Sequence, residues 1–157
     1  MQILIISDLH NNISIFNDFI EKNKFKTIIF LGDGLSNFFK VVQKNKIDFF
    51  YIEGNCDSFF PRTDYKIIEI NNLKIMITHG DAFKVKSGIF LLESFVSSLK
   101  NRPDIVLFGH THEPFHILKE EIEYFNPGAF ADGFYGILNI ENEYFYIESN
   151  IFNKVKK

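Results

Sequence analysis

With 157 residues, 46% of them hydrophobic, and a net charge of −3, the chain can bury one core and lacks the cationic surplus that duplex nucleic acid demands. Its single cysteine, Cys56, excludes an intrachain disulfide and fits a reducing compartment. No apolar run approaches the ~20 residues that cross a bilayer, and Gln2-Ile3-Leu4-Ile5-Ile6 leads into Ser7-Asp8 rather than a cleavage site, so a cytoplasmic protein without a membrane partner is expected.

The elements alternate cleanly at first. Gln2–Ser7 is an apolar strand, and Ser14–Lys24 a helix with Ile15, Phe16, Phe19 and Ile20 on one face. Thr27–Gly32 is a second strand. Leu35–Lys44 is a helix with Leu35, Phe38, Phe39 and Val42 at helical spacing, and Asp48–Glu53 is a third strand. This βαβαβ order predicts parallel strands buried on both faces. The pattern then changes. Tyr65–Ile70 and Leu73–Thr78 flank Asn71-Asn72, a hairpin signal. Gly88–Arg102 reads as a helix with Leu92, Phe95, Val96 and Leu99 inward, ended by Pro103. Asp104–Gly109 is a strand. His116–Leu118 with Ile122–Phe125, and Phe134–Ile140 with Tyr144–Ser149, read as two further hairpins. No linker or repeat divides the chain, so residues 1–157 form one domain. Its expected class is α/β, an αββα sandwich of two mixed sheets flanked by helices. The 20 phenylalanines, with abundant Ile, Lys and Asn, read as a base-composition bias, and Lys154, Lys156 and Lys157 as a solvated tail.

Several short strands run directly into chemistry. The first is followed by Ser7-Asp8-Leu9-His10, the second by Gly32-Asp33, the third by Gly54-Asn55, the hairpin before the last helix by His79-Gly80, and the next strand by Gly109-His110-Thr111-His112. In open α/β sheets ligands bind outside the carboxyl ends of the strands. Asp8, His10, Asp33, Asn55, His79, His110 and His112 would therefore meet at one edge, every one an oxygen or imidazole donor. In extended chain, residues i and i+2 point the same way, roughly 6.5–7 Å apart. Paired catalytic metal ions lie about 3.5–4 Å apart. His110 and His112 can thus each take one ion of a pair. Such donors suit Mn, Fe, Co, Ni or Zn and not a thiolate site. Taken singly, each residue has a plain structural explanation: Asp8 as a helix cap, Gly32-Asp33 as a turn, His79 as a satisfied core imidazole. His116, inside a strand, reads as a surface residue.

Asp8-x-His10, Gly32-Asp33, Gly54-Asn55, His79-Gly80 and Gly109-His110-Thr111-His112 resemble, in order, the motifs of the calcineurin-like metallophosphoesterases. The chain length and Gly54-Asn55-Cys56-Asp57 resemble the small YfcE-like phosphodiesterases of that superfamily. The resemblance implies a site for two divalent metal ions, Mn2+ foremost, with Ni2+, Fe2+, Co2+ and Zn2+ also compatible. Asp8, His10 and His112 would hold one ion, Asn55, His79 and His110 the other, and Asp33 would bridge. Metal-bound hydroxide would attack phosphorus in line, with Asp33, Asn55 and His79 counted as catalytic. Asn55, Cys56 and Asn126, the last in Asn126-Pro127-Gly128, would contact a small phosphoester.

Three departures from the family pattern stand out. Asn11 replaces a glycine, and asparagine tolerates the left-handed backbone. Asp81 replaces a histidine. Cys56 stands where many superfamily members place a histidine that serves the leaving group, and a small buried filler is the competing role for it. Ser58-Phe59-Phe60-Pro61 and Phe83 would form an apolar rim, for substrate or for a homo-oligomer contact. A scaffold of the same fold, like the small retromer subunit, is the alternative to an enzyme. A nuclease is disfavoured, because the compact, mildly acidic chain leaves no room for a nucleic-acid-binding segment.

Overall fold

The computed structural model describes residues 1–142 and 144–152; the basic tail at Lys154, Lys156 and Lys157 lies outside them. The expected alternation forms as β1 (Gln2–Ile6), α1 (Ile13–Asn23), β2 (Thr27–Phe30), α2 (Leu35–Asn45) and β3 (Asp48–Tyr51). Strands β1, β2 and β3 are parallel, with Leu4 opposite Ile28 and Ile28 opposite Phe49. The hairpin β9 (Phe134–Glu141) and β10 (Tyr144–Ile151) joins them antiparallel through β1, giving the order β10-β9-β1-β2-β3. The second sheet contains β4 (Lys66–Ile70), β5 (Leu73–Ile77), β6 (Ile105–Leu107), β7 (Phe115–Lys119) and β8 (Ile122–Asn126), in the order β4-β5-β6-β8-β7. Helix α3 (Phe90–Ser98) covers its outer face.

The two-residue period of β1 explains the layering. Leu4 and Ile6 pack outward with Phe16, Phe30 and Phe38 under α1 and α2. Ile3 and Ile5 point the other way and meet Ile75, Ile77, Ile105 and Leu107 between the sheets. Met76 and Val106 pack on Leu92 and Val96 of α3. β1 and β2 are buried on both faces as expected, whereas β3, at the sheet edge, is only half-buried; the order α-β-β-α is the one the sequence predicts. The phenylalanines fill the outer layer: Phe16, Phe30, Phe38 and Phe130 are fully buried there.

One local outcome matches the expectation and one differs in length. Asn71 and Asn72 both take positive φ (49° and 66°), as a two-residue hairpin turn requires. Helix α3, by contrast, is shorter than Gly88–Arg102. Gly88 has φ 106°, and Leu99 is already extended with ψ 133°. Ser98 Oγ donates to the Phe95 carbonyl at 2.6 Å, and Pro103 disfavours helical backbone before it.

The strand tips are tied together by Asp57, which is 6% exposed. Its carboxylate accepts backbone N–H bonds from Asp33 (2.8 Å), Gly34 (2.9 Å) and Leu35 (2.9 Å), and from Gly54 (2.9 Å). One side chain thus closes the loop after β3 onto the loop after β2 and caps the first turn of α2, whose own N-cap, Gly34, has no side chain to do so. Gly54 lies so close to Asp33 that a Cβ would collide with the carboxylate and with the Asp33 amide nitrogen. Asp57→Ala should therefore destabilise the fold by roughly 3–6 kcal/mol, since buried donors left without an acceptor cost about 1–3 kcal/mol each. A thermal unfolding scan should show a fall of ~10 °C or more. A midpoint unchanged to within about 2 °C would remove Asp57 as the joint between the loops.

Candidate metal centre

The five motif-bearing tips lie along one edge, and five of the seven expected donors have left-handed backbone there: Asp8 (φ 54°), His10 (49°), Asp33 (65°), His110 (70°) and His112 (66°). This conformation costs an L-residue about 1–2 kcal/mol, less for Asp and His, and such strain gathers at functional sites. The tolerance that asparagine offers at Asn11 is not drawn on: Asp8 and His10 turn the chain, and Asn11 is not among the positive-φ residues.

The donors face one another. Asp8 is fully buried; its Oδ2 accepts from Ser7 Oγ (2.5 Å) and from the His110 N–H (3.1 Å). Its Oδ1 is buried with no hydrogen-bond partner among the described residues, although His112 Nε2 lies 3.2 Å away. Ligand atoms of Asp8, His10 and His112 all lie within 4.8 Å of one another. On the other side, His79 Nδ1 is 2.7 Å from the Leu31 carbonyl. That oxygen can only accept, so Nδ1 carries the hydrogen and a neutral ring turns the Nε2 lone pair toward the site. It faces two more acceptors, Asn55 Oδ1 at 3.0 Å and Asp33 Oδ2 at 3.5 Å.

Lone pairs aimed at lone pairs repel unless a proton or a cation sits among them. The ionisation follows that rule. Burial opposes a charge on His79, yet the Asp33 carboxylate and the more distant Asp8 outweigh it and raise the ring's pKa. Burial likewise opposes charge on Asp33, but His79 and the Cys56 amide, which donates to Oδ1 at 2.8 Å, hold its carboxyl far below the usual range. Burial, the His79 charge and Lys86 lower His110. An orphaned buried carboxylate oxygen and a set of converging oxygen and imidazole lone pairs therefore fit divalent cations.

The expected residues are placed as follows. Asp33 shares one close group with Asp8 and His79 and another with His10 and Cys56, so it lies between the two halves. Asn55 reaches the His79 side, and the His110 ring stands 5.0 Å from the His79 ring. Cys56 is exposed, which corrects the buried-filler alternative; its thiol borders His10 and Asp33. Asn126 is fully buried and turned away from solvent. Its amide donates to the Gly109 carbonyl (3.0 Å) and to Thr111 Oγ1 (2.9 Å) and accepts from the Gly128 N–H (2.8 Å), so it braces the Gly109–Thr111 turn from behind. Of the expected apolar rim, Ser58, Phe59 (94% exposed) and Pro61 are open, whereas Phe60 packs on the outer core and Phe83 against Phe95. His116 is a surface residue paired with Glu123 at 2.9 Å. The residue with no assigned role in the sequence was Asp57. No local signal marks it, because three of the four amides it accepts from lie 22 to 24 positions upstream.

A model of the calcineurin-like phosphoesterase superfamily domain matches residues 1–142. A phosphodiesterase of Methanocaldococcus jannaschii is 28% identical over 167 aligned positions, 89% of this chain and 90% of that protein. The phosphodiesterase YfcE of Escherichia coli is 30% identical over 86 positions, 50% of this chain and 42% of that protein. A solved structure of Vps29 from Entamoeba histolytica superposes with a TM-score of 0.74 at 20% identity, covering 98% of this chain and all of that one, a likeness of fold. The chain belongs to the calcineurin-like phosphoesterase superfamily, whose chemistry is phosphoric ester hydrolysis.

Proposed function

We propose that the chain is a phosphodiesterase or phosphatase working with two divalent cations on small phosphoesters. Asp8, His10 and His112 would hold one cation, Asn55, His79 and His110 the other, and Asp33 both. The observation that carries this reading is the buried Asp8 Oδ1, without a hydrogen-bond partner among the described residues, together with the approach of His79 Nε2 to the oxygens of Asn55 (3.0 Å) and Asp33 (3.5 Å). Such a cation pair ionises bound water near neutral pH and neutralises phosphoryl oxygens. The protein's own groups do the rest. The Leu31 carbonyl fixes the His79 tautomer, Ser7 and the His110 amide fix Asp8, and Asn126 fixes the turn that carries His110 and His112. The donors themselves argue against a pure scaffold, because a contact surface has no use for strained, buried, mutually repelling acceptors.

Cys56 occupies the leaving-group position of the family pattern. Although the residue is exposed, partial shielding of its sulfur from water, the contact with Asp33 and the charges of Asp33, Asp57 and Asp8 push the thiol up to about 11. A group that holds its proton so tightly is a weak acid at neutral pH. The enzyme should favour aryl esters, whose leaving group departs without a proton. Cys56→His should raise turnover of alkyl relative to aryl phosphodiesters by about tenfold or more at equal metal content, since a positioned acid contributes on the order of 10²–10⁴. An unchanged ratio, with the histidine shown in place, would remove Cys56 from the account of specificity.

Protons and cations compete for His79 Nε2. Its pKa is raised, so lowering the pH through that value charges the ring and expels the cation. Calorimetric titration with Mn2+ should give affinity that is constant at alkaline pH and falls by about tenfold per pH unit below the His79 pKa, with proton release on binding. Affinity equal at about pH 8 and about pH 6 would contradict the assignment of His79 as a ligand.

A further inference from the structure

Asp81 stands two residues past His79, so their Cα atoms are at most about 7 Å apart. An unpaired carboxylate so near the site would repel an anionic substrate. It is not unpaired. Arg62 Nη2 donates to both Asp81 oxygens at 2.8 Å. Arg62 lies on the loop that follows Asn55 and Cys56, and Asp81 begins the short 3-10 turn Asp81–Phe83 after β5. The pair therefore spans the two loops that carry Asn55 and His79, the donors assigned to one cation. Only Nη2 of the guanidinium is used. Among the described residues Nε and Nη1 have no partner, which leaves three of the five N–H bonds that an arginine offers. The side chain is 38% exposed, open to a ligand at the rim.

We propose that Arg62, anchored by Asp81, is an anion subsite at the edge of the metal centre, selecting phosphoesters whose esterified group carries a second negative charge. Asp81 fixes the direction of the guanidinium and cancels its long-range charge. Selection then comes from the unspent N–H donors at short range, where arginine is a specific partner for carboxylate or phosphate oxygens. This extends the two-cation reading above and rests on it. The competing role is a strap that merely holds the two loops together.

The test uses two ligands that cannot be hydrolysed, phenylphosphonate and 4-carboxyphenylphosphonate, titrated into the Mn2+-loaded protein. The wild type should bind the carboxylated ligand about tenfold more tightly, the scale of one added charge-assisted contact. The double variant R62A/D81N keeps the net charge of the pair and should bind plain phenylphosphonate within about twofold of wild type while losing the preference. Arg62→Lys preserves the ion pair but not the planar fork; it should keep the unfolding midpoint and lose most of the preference, which separates recognition from strapping. An equal preference in wild type and both variants overturns the subsite. So does a loss in the double variant that strikes both ligands alike. Failure of phenylphosphonate to bind any form overturns the two-cation reading and the subsite with it.

Discussion

One buried carboxylate holds the site edge together. Asp57 gathers the N–H groups of Asp33, Gly34, Leu35 and Gly54, and with the Cys56 N–H bond to Asp33 it ties the loops after β2 and β3 together. The constraint reaches far. It positions Asp33 between the halves of the donor set, starts α2 where no capping side chain is present, and brings Gly54 within a distance that admits no Cβ. Hydrogen bonds to a charged group are among the stronger ones in a protein, so one acceptor can offset the left-handed strain at Asp33.

The donor set gives the fold a second, electrostatic requirement. Asp8 and Asp33 are both almost fully buried, and His79 with them. Burying carboxylates is unfavourable unless something positive accompanies them. In the protein alone the Cys56 amide meets one oxygen of Asp33, while Asp8 Oδ1 is left without a hydrogen bond among the described residues. Cations bound there would complete the pairing and stabilise the native state by mass action, since the unfolded chain has no comparable site. The same cations would stand within reach of a phosphoester at the open side, where His112, Asn55 and Cys56 are exposed.

Much of this was legible in the residues. Period-two burial in β1 and the helical spacing of Leu35, Phe38 and Val42 are local signals, and the strands and helices they predict are present. The donor residues were legible because each follows a short apolar strand, and strand ends in such folds collect at one edge. What the sequence did not carry was nonlocal. Nothing near Asp57 announces that its acceptor capacity is taken by amides 22 to 24 positions away. Asn126 looked like a residue for the substrate, yet its amide is consumed behind the Gly109–Thr111 turn, a contact across 15 to 17 positions. Asp81 looked like a departure from the family pattern until its partner, Arg62, was placed beside it from 19 positions upstream. Helix α3 was overextended because Pro103 marks where a helix cannot continue, not where it stops.

The central claim is that Asp33 joins two cation sites into one centre. The most direct measurement is metal content per chain by mass spectrometry after saturation with Mn2+ and dialysis, for the wild type and Asp33→Ala. The account predicts about two ions per chain in the wild type, as binuclear hydrolytic sites hold, and close to none in the variant, because the shared carboxylate serves both. A wild type that retains no ions, or a variant that retains as many as the wild type, would contradict it.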